Sequence, residues 1–479
     1  MIDSYILNGC ATSSRLVKTK LVRILLSSAE NSATNAWNIN PQTGQVNNNN
    51  NNNNKYNAYV VRPVVALDEK RINGWMIAYA SCLSNKMTSS QCTLYRINDT
   101  DLLNLMQECE QRRYTPSTSI CFCVTVPKIR EIFAAAFRDR IVQHWICLRI
   151  EPLFEERFIA QGNVSWNCRK GCGTQKAALA LRRDIIEVSE NYTREAWVGR
   201  FDIVSFFMAI DIRILEQLVV DFINEKYHGD DKDLLLYLLV TTIRHRPQDN
   251  CERRGDMTLW DRMTKGKSLF DAEWYRGMPI GNITSQLLAN FYMSFIDGDM
   301  AALCMPIGAR YERFVDDFVF VCRTKGQVLM LRGKARALLG ERLNLSMHED
   351  KQYIQDVTRG IYFVGTVIKM QRMYLSNRTV GGMCRKLREL QRVLSDIERK
   401  GFFSLDDAYT LAHYQSSLNS YLGFMHGKNT YAIRRKVFNE HCPLFFDYFY
   451  MDGRYEVVRV RREYSLRFQL LKQEYYEYN

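Results

Sequence analysis

The sequence has no long hydrophobic run, no patterned cysteines and no recognisable secretory leader. Its longest apolar stretch, Leu234 to Ile243, includes Thr241 and Thr242. A bilayer span needs about 20 apolar residues, so no membrane insertion is expected. The opening residues, Met1-Ile-Asp-Ser-Tyr5, show no basic region followed by an apolar core, and no signal peptide is indicated. The 14 cysteines are scattered over 479 residues rather than framed in pairs, which suits a reducing cytoplasm better than a disulfide scaffold. The close pairs Cys121/Cys123 and Cys168/Cys172 are not followed by second matching pairs, so a zinc site is not expected there.

What the chain does contain is size and positive charge. With 46% hydrophobic residues it can bury one large core or several smaller ones. A formal charge of +13 points to a polyanionic partner, nucleic acid before membrane.

Four regions are expected. Residues 1–67 hold a run of eight asparagines, Asn47 to Asn54, a low-complexity tract with nothing to bury. Strand-like fragments, Trp37-Asn-Ile-Asn40 and Tyr59-Val-Val-Arg-Pro63, bracket it. In residues 68–200 a helical stretch around Asp101 to Gln107, with Asp99 or Thr100 as cap, precedes a hairpin over Phe122 to Ala134. Lys128 and Arg130 lie near its turn. A helix from Phe137 to Leu148 carries Arg138 and Arg140, and Ser165 to Thr174 is a basic glycine loop with Arg169 and Lys170. That composition suits phosphate contact but equally describes any exposed basic loop. Residues 201–370 include a polar connector over 229–270. Residues 371–479 read as basic and helical, with Arg385 and Lys386 in one segment.

The chemistry concentrates in Tyr311-Glu-Arg-Phe-Val-Asp-Asp-Phe-Val-Phe320. Two adjacent carboxylates inside an apolar segment read as a hairpin tip, because strand alternation would otherwise bury one of them. A divalent ion such as Mg²⁺ prefers such oxygen ligands. Upstream, Arg200-Phe-Asp-Ile-Val-Ser-Phe-Phe207 is an apolar strand holding one acid, Asp202. Gly277-Met-Pro-Ile-Gly-Asn-Ile-Thr-Ser-Gln286 is a glycine loop entering an apolar helix, a junction with free N–H groups. Two-metal phosphoryl transfer needs carboxylates converging from separate strands, which Asp202 and Asp316 can supply with Asp317 assisting. Lys128, Arg130 and Arg140 could neutralise a triphosphate opposite them, and Phe207 could floor the sugar pocket.

The series Asp202…Phe207, Pro279-Ile-Gly281…Ser285-Gln286, Phe314-Val-Asp-Asp317, Lys351 and Phe363-Val-Gly365 resembles the palm motifs of reverse transcriptases. Among these it looks most like the enzymes of diversity-generating retroelements. Pro127 to His144 is similar to their fingers, and Asn167 to Thr174 to their following loop. The loop has the I-G-x-x-x-S-Q form where most reverse transcriptases have Q-G-x-x-x-S-P. The resemblance covers roughly residues 95 to 400.

It implies an α+β right-hand polymerase with fingers, palm and helical thumb, copying RNA into DNA with deoxynucleotides and two Mg²⁺ ions, or Mn²⁺. Asp202, Asp316 and Asp317 would be metal ligands and Lys351 a candidate proton donor. Phe207 would exclude a ribose 2′-OH. Ile280, Gly281 and Gln286 would meet the nucleotide, and Arg169, Lys170, Phe363, Gly365, Arg385 and Lys386 the nucleic acid. It further implies errors at template adenines, a template RNA and its cDNA, a small basic accessory protein, and a prokaryotic or phage-encoded origin. Residues 1–67 resemble a translated template repeat, an ordinary polar linker being the other reading, and under either they should be dispensable for polymerisation. Ile280 replaces a glutamine, and one lost neutral hydrogen bond is worth about 0.5–1.5 kcal/mol, roughly 2- to 13-fold in selectivity. A group II intron-like or defence-associated reverse transcriptase is the alternative within the class. A polymerase-shaped RNA-binding protein without catalysis is the alternative outside it.

Overall fold

The computed structural model of the protein describes residues 69–83, 99–125, 128–370 and 372–477. The asparagine tract with its flanks, the whole of 1–67 and Pro127 lie outside them. The chain divides into two compact units. Among the described residues no helix is long and apolar enough to cross a membrane.

The first unit gathers three separated pieces of chain, ending at Ile120, Leu148 and Glu252. Its helices Glu69–Leu83 and Asp99–Glu110 join the first half of Phe137–Ala160 and the helix Lys232–Arg244. The last is the apolar run of the sequence, and it lies inside the stretch expected to be a polar connector. Leu234, Leu235, Leu238, Leu239 and Ile243 recur at helical spacing and are all buried. Trp75 and Trp145 stack at 5.1 Å. Buried Asp139 accepts hydrogen bonds from the Tyr114 hydroxyl and the Ser117 N–H, both at 2.9 Å. Asp99 lies within its helix rather than before it, so neither Asp99 nor Thr100 caps it from outside.

Up to Leu375 the strands in chain order are β1 (Ser119–Val124), β2 (Arg130–Ala134), β3 (Trp197–Phe201), β4 (Cys251–Arg254), β5 (Arg310–Phe314), β6 (Asp317–Cys322), β7 (Tyr353–Asp356), β8 (Ile361–Phe363), β9 (Thr366–Ile368) and β10 (Met373–Leu375). β1 lies between β2 and β4; its pairing with β2 agrees with the hairpin pattern of Phe122 to Ala134, and β4 is a strand the sequence reading missed. The main sheet has the order β5-β6-β3-β7 and is antiparallel throughout.

Alternation along β6 explains how that sheet is covered. Val319 and Val321 face a cluster with Ala177, Leu181 and Ile185 of helix Thr174–Val188. Phe318 and Phe320 point the other way, where Phe201 and Tyr311 meet them at 5.3 to 6.2 Å. The helix Ile283–Cys304 is mostly apolar and mostly buried, with Asn290 and Asp297 among its buried polar residues.

Beyond the sheets come helices Asn377–Lys400, Leu405–Met425 and Tyr431–His441, as the basic C-terminal pattern suggested. Leu387, Leu390 and Leu394 pack there on Leu411, Leu418 and Leu422. A hairpin that the sequence reading missed, Phe449–Met451 with Val458–Val460, is hydrogen-bonded sideways to this bundle. Asn419 both accepts from the Val458 N–H (2.7 Å) and donates to its carbonyl (2.9 Å).

Candidate active site

The β5–β6 register pairs Phe314 with Asp317, leaving Val315 and Asp316 as a two-residue turn. Val315 has φ 61°, a conformation that a β-branched residue avoids. Such strain costs about 1–3 kcal/mol and persists only where the surroundings over-determine it. Here they do. Arg313, fully buried, donates to the Val315 carbonyl at 3.0 Å. The same guanidinium grips buried Asp297 through two bonds of 2.8 and 2.5 Å, and the Tyr311 hydroxyl donates to Asp297 at 3.0 Å. The hairpin tip read from the sequence is therefore a braced turn.

Asp202 follows the last residue of β3. Past that point the chain still pairs, through an Ile203–Met347 bridge and the bonds His348 N–H to Asp202 C=O (2.9 Å) and Val204 N–H to Ser346 C=O (2.9 Å). This pairing brings the loop of His348 and Lys351 against Asp202. Lys351 Nζ lies 3.5 Å from Asp202 Oδ2 and 2.8 Å from His348 Nε2. Burial first, then the negative charge of Asp202, with a smaller push from Asp317, raises the Asp316 carboxyl to about 6, although Arg130 opposes the rise. Burial also raises Asp317, against the pull of Arg200. The Arg200 guanidinium takes both Asp317 oxygens, at 2.7 and 2.6 Å.

Asp202 and Asp316 are two crowded carboxylates whose repulsion a divalent cation would relieve, and Mg²⁺ is commonly held by one or two carboxylates plus substrate phosphates. The residues present fit such an ion. Asp317 does not stand with them as an equal, since Arg200 occupies its oxygens. Among the described residues no group of three or more acidic, histidine or cysteine side chains forms a metal cage.

Around the carboxylates the surface is cationic. Arg130 and Lys128 are exposed on and just before β2. Lys267, which the sequence reading passed over, feels the charges of Lys351, Asp202, Asp316 and Lys128. The half-buried Phe207 lies in the short helix Phe206–Ala209, and its carbonyl accepts from the Met278 N–H at 2.8 Å. That bond draws the glycine loop alongside. The loop is tied again where Phe133 N–H donates to the Ile280 carbonyl at 2.8 Å. Main-chain bonds thus hold Ile280 while its side chain stays half exposed. Gly281 has φ +123°, and a Cβ there would meet the Phe133 oxygen at 2.8 Å, so the position admits only glycine. Gln286 is exposed, with Cys168 Sγ 3.7 Å from its Oε1. Arg140 belongs to the first unit, where its Nε donates to the Ala135 carbonyl at 2.8 Å.

Several expected nucleic-acid contacts are corrected. Arg169 is buried and bonded to Glu155 (2.9 and 2.7 Å), Asn163 (2.8 Å) and the Ser165 carbonyl, so it folds its loop instead of offering a free cation. Phe363 is fully buried within the cluster that covers β6, and its ring is packing. Gly365 forms with Val364 the β8–β9 turn, both at positive φ (82° and 41°), and makes its tight bend possible. Lys170 remains exposed, paired to Glu151 at 2.7 Å. Arg385 is exposed on helix Asn377–Lys400, and Lys386 beside it lies over the Tyr414 ring at 4.7 Å. Arg200 was legible in principle, because strand alternation puts it on the same side as Asp202.

No family model matches the chain. Protein YkfC of Escherichia coli (strain K12) is 25% identical over 287 residues, covering 53% of this chain and 67% of that protein. Among solved structures, apo telomerase from Candida tropicalis, truncated from the C-terminal domain, matches with a TM-score of 0.39 at 13% identity over 55% of this chain and 56% of that one. Telomerase from Candida albicans in complex with a TWJ fragment of telomeric RNA matches with a TM-score of 0.39 at 10% identity over 65% and 59%. The chain thus spans little more than half the length of these structures.

Proposed function

We propose that the protein is an RNA-directed DNA polymerase of the diversity-generating retroelement type, copying a template-repeat RNA into cDNA with errors at adenines. The observation that supports polymerase chemistry is the meeting of Asp202 and Asp316 at the ends of neighbouring strands, with Lys351, Lys267 and Arg130 near them; the retroelement type is supported by the I-G-x-x-x-S-Q form of the Ile280 loop. Divalent ions held by Asp202 and Asp316 would activate the primer 3′-hydroxyl and neutralise charge on the triphosphate. Arg200 holds Asp317 to the side of the pair. Lys351, 3.5 Å from Asp202, would protonate a leaving pyrophosphate, and Arg130 and Lys128 would bind phosphates. Phe207 bounds the sugar, and the Ile280–Gly281 loop borders the nascent base pair. The accessory protein and the template RNA are partners that the sequence resemblance suggests.

Primer extension on a defined RNA template tests the reading. With Mg²⁺ and deoxynucleotides the enzyme should extend the primer, and Asp316→Ala should abolish extension while the protein still melts cooperatively. Extension that survives Asp316→Ala would sink the assignment. RNA binding without extension in the parent would favour the non-catalytic alternative.

A further inference from the structure

The glutamate next to Arg130 points inward and holds a distant part of the chain. Glu131 is 1% exposed, and its carboxylate accepts three hydrogen bonds from one short segment. Trp260 Nε1 (2.8 Å) and the Ser268 hydroxyl (2.9 Å) share Oε2, and the Leu269 N–H (2.9 Å) reaches Oε1. Arg253 adds a second tie, its guanidinium 3.8 Å from the Phe270 ring centre. A buried carboxylate that accepts three donors is a strong anchor, since losing it would orphan each of them.

The anchored segment carries Lys267, one residue before Ser268. On its other side Gly266 lies so close to Ser205 that a Cβ there would be 3.9 Å from the hydroxyl oxygen. Ser205 is three residues past Asp202. The segment of Lys267 is therefore fastened to the strand bearing Arg130 and runs beside Ser205, close to the chain leaving Asp202. Lys267 is half-buried, its ammonium group has no hydrogen-bond or ion-pair partner among the described residues, and it feels the charges of Asp202, Asp316, Lys351 and Lys128. A lysine placed among two acids and two further cations is suited to a ligand that carries several negative charges.

We propose that Lys267 binds the polyphosphate of the incoming nucleoside triphosphate and that Glu131 is the positioning residue that holds it there. This rests on the polymerase reading above, and it adds a third phosphate-binding cation, from the connector, to Arg130 on β2 and Lys128 just before it. A lysine acts here as a point charge on phosphate.

The test uses the full-length protein and two readouts. In primer extension, Lys267→Gln should raise KM for deoxynucleotides about tenfold, the loss expected for one charged hydrogen bond, with a smaller change in kcat. Lys267→Arg should recover most of it. Glu131→Gln should raise KM as well, and the double variant should be no worse than Lys267→Gln alone, because Glu131 acts through the lysine. Additive effects would show that Glu131 is merely structural and would overturn its assigned role. Unchanged KM in a Lys267→Gln protein of normal melting temperature would overturn the proposal. In direct titration with a fluorescent deoxynucleoside triphosphate and its monophosphate, Lys267→Gln should weaken the triphosphate alone. A parent that binds the triphosphate in this way but never extends a primer would refute the polymerase reading and leave the Lys267 assignment standing. A parent that binds neither nucleotide would refute both.

Discussion

Removing Asp297 isolates the brace beneath the Val315–Asp316 turn. In Asp297→Ala the Arg313 guanidinium, with no exposed surface, loses its bidentate partner, and the Tyr311 hydroxyl loses its acceptor. Breaking a buried ion pair from one side costs about 3–5 kcal/mol, since a charge is left uncompensated. With a urea dependence of roughly 2–3 kcal/mol per molar, the unfolding midpoint should fall by about 1–2.5 M. The triple variant Asp297→Leu/Tyr311→Phe/Arg313→Met replaces the network by apolar groups and should regain most of that loss. It should not regain nucleotide incorporation. The bond from Arg313 to the Val315 carbonyl is absent in it, so nothing holds Val315 at φ 61° and Asp316 is no longer aimed. Urea unfolding monitored by tryptophan fluorescence, run beside primer extension, separates the two effects. A cost under about 1 kcal/mol for Asp297→Ala would refute the energetic argument. A triple variant that recovers both stability and incorporation would refute the claim that strain is held for the site.

Ile280→Gln restores a side-chain amide beside the Ile280–Gly281 loop and is expected to lower misreading of template adenines by roughly 2- to 13-fold, measured by sequencing the cDNA; an unchanged error spectrum rejects that role. Gly281→Ala forces a Cβ to within 2.8 Å of the Phe133 oxygen at φ +123°. It should cost about 1–3 kcal/mol in thermal unfolding, and a neutral substitution would mean the loop is free to move. Burial first, and then the carboxylate of Asp184 to which it is hydrogen-bonded, raises Glu312 well above its usual 4.5. Stability from its protonated form is fully present below about pH 4.5 and is lost as pH rises through the raised folded value. Glu312→Gln, neutral throughout, should therefore lose less melting temperature than the parent between about pH 5 and pH 8, and an identical slope would count against the pair.

Local chemistry made much of this protein legible from its residues. Period-two alternation around Asp316 and Asp317 already demanded a hairpin, and the glycine loop running into an apolar stretch already marked the start of Ile283–Cys304. The run Leu234 to Ile243 could be seen as apolar, yet not as part of a unit assembled from three distant pieces of chain, because partners of a buried helix leave no trace in its own sequence. Roles assigned to cations suffered most. Arg169 and Lys170 are neighbours of the same type, but Glu155, Asn163 and the Ser165 carbonyl bury the first while the second stays in solvent. Phe363 looked available beside Gly365, and the packing of β8 took its ring into the core.

The sequence by itself determined the kinds of groups present and their order: two adjacent acids at a hairpin, one acid in an apolar stretch upstream, cations on either side. The structure moved Asp202 just past β3 and Asp317 into β6, leaving Asp316 alone of the two in the turn. Spacing of two or 3.6 is a property of the backbone and needs no distant partner. Tertiary structure alone decided which charges are free. Arg200 closes on Asp317, Arg313 on Asp297 and Glu131 on the segment around Lys267, each across more than ten residues of chain. Such pairings are selected by the cost of burying a charge without a partner, and that cost exists only once the core has formed.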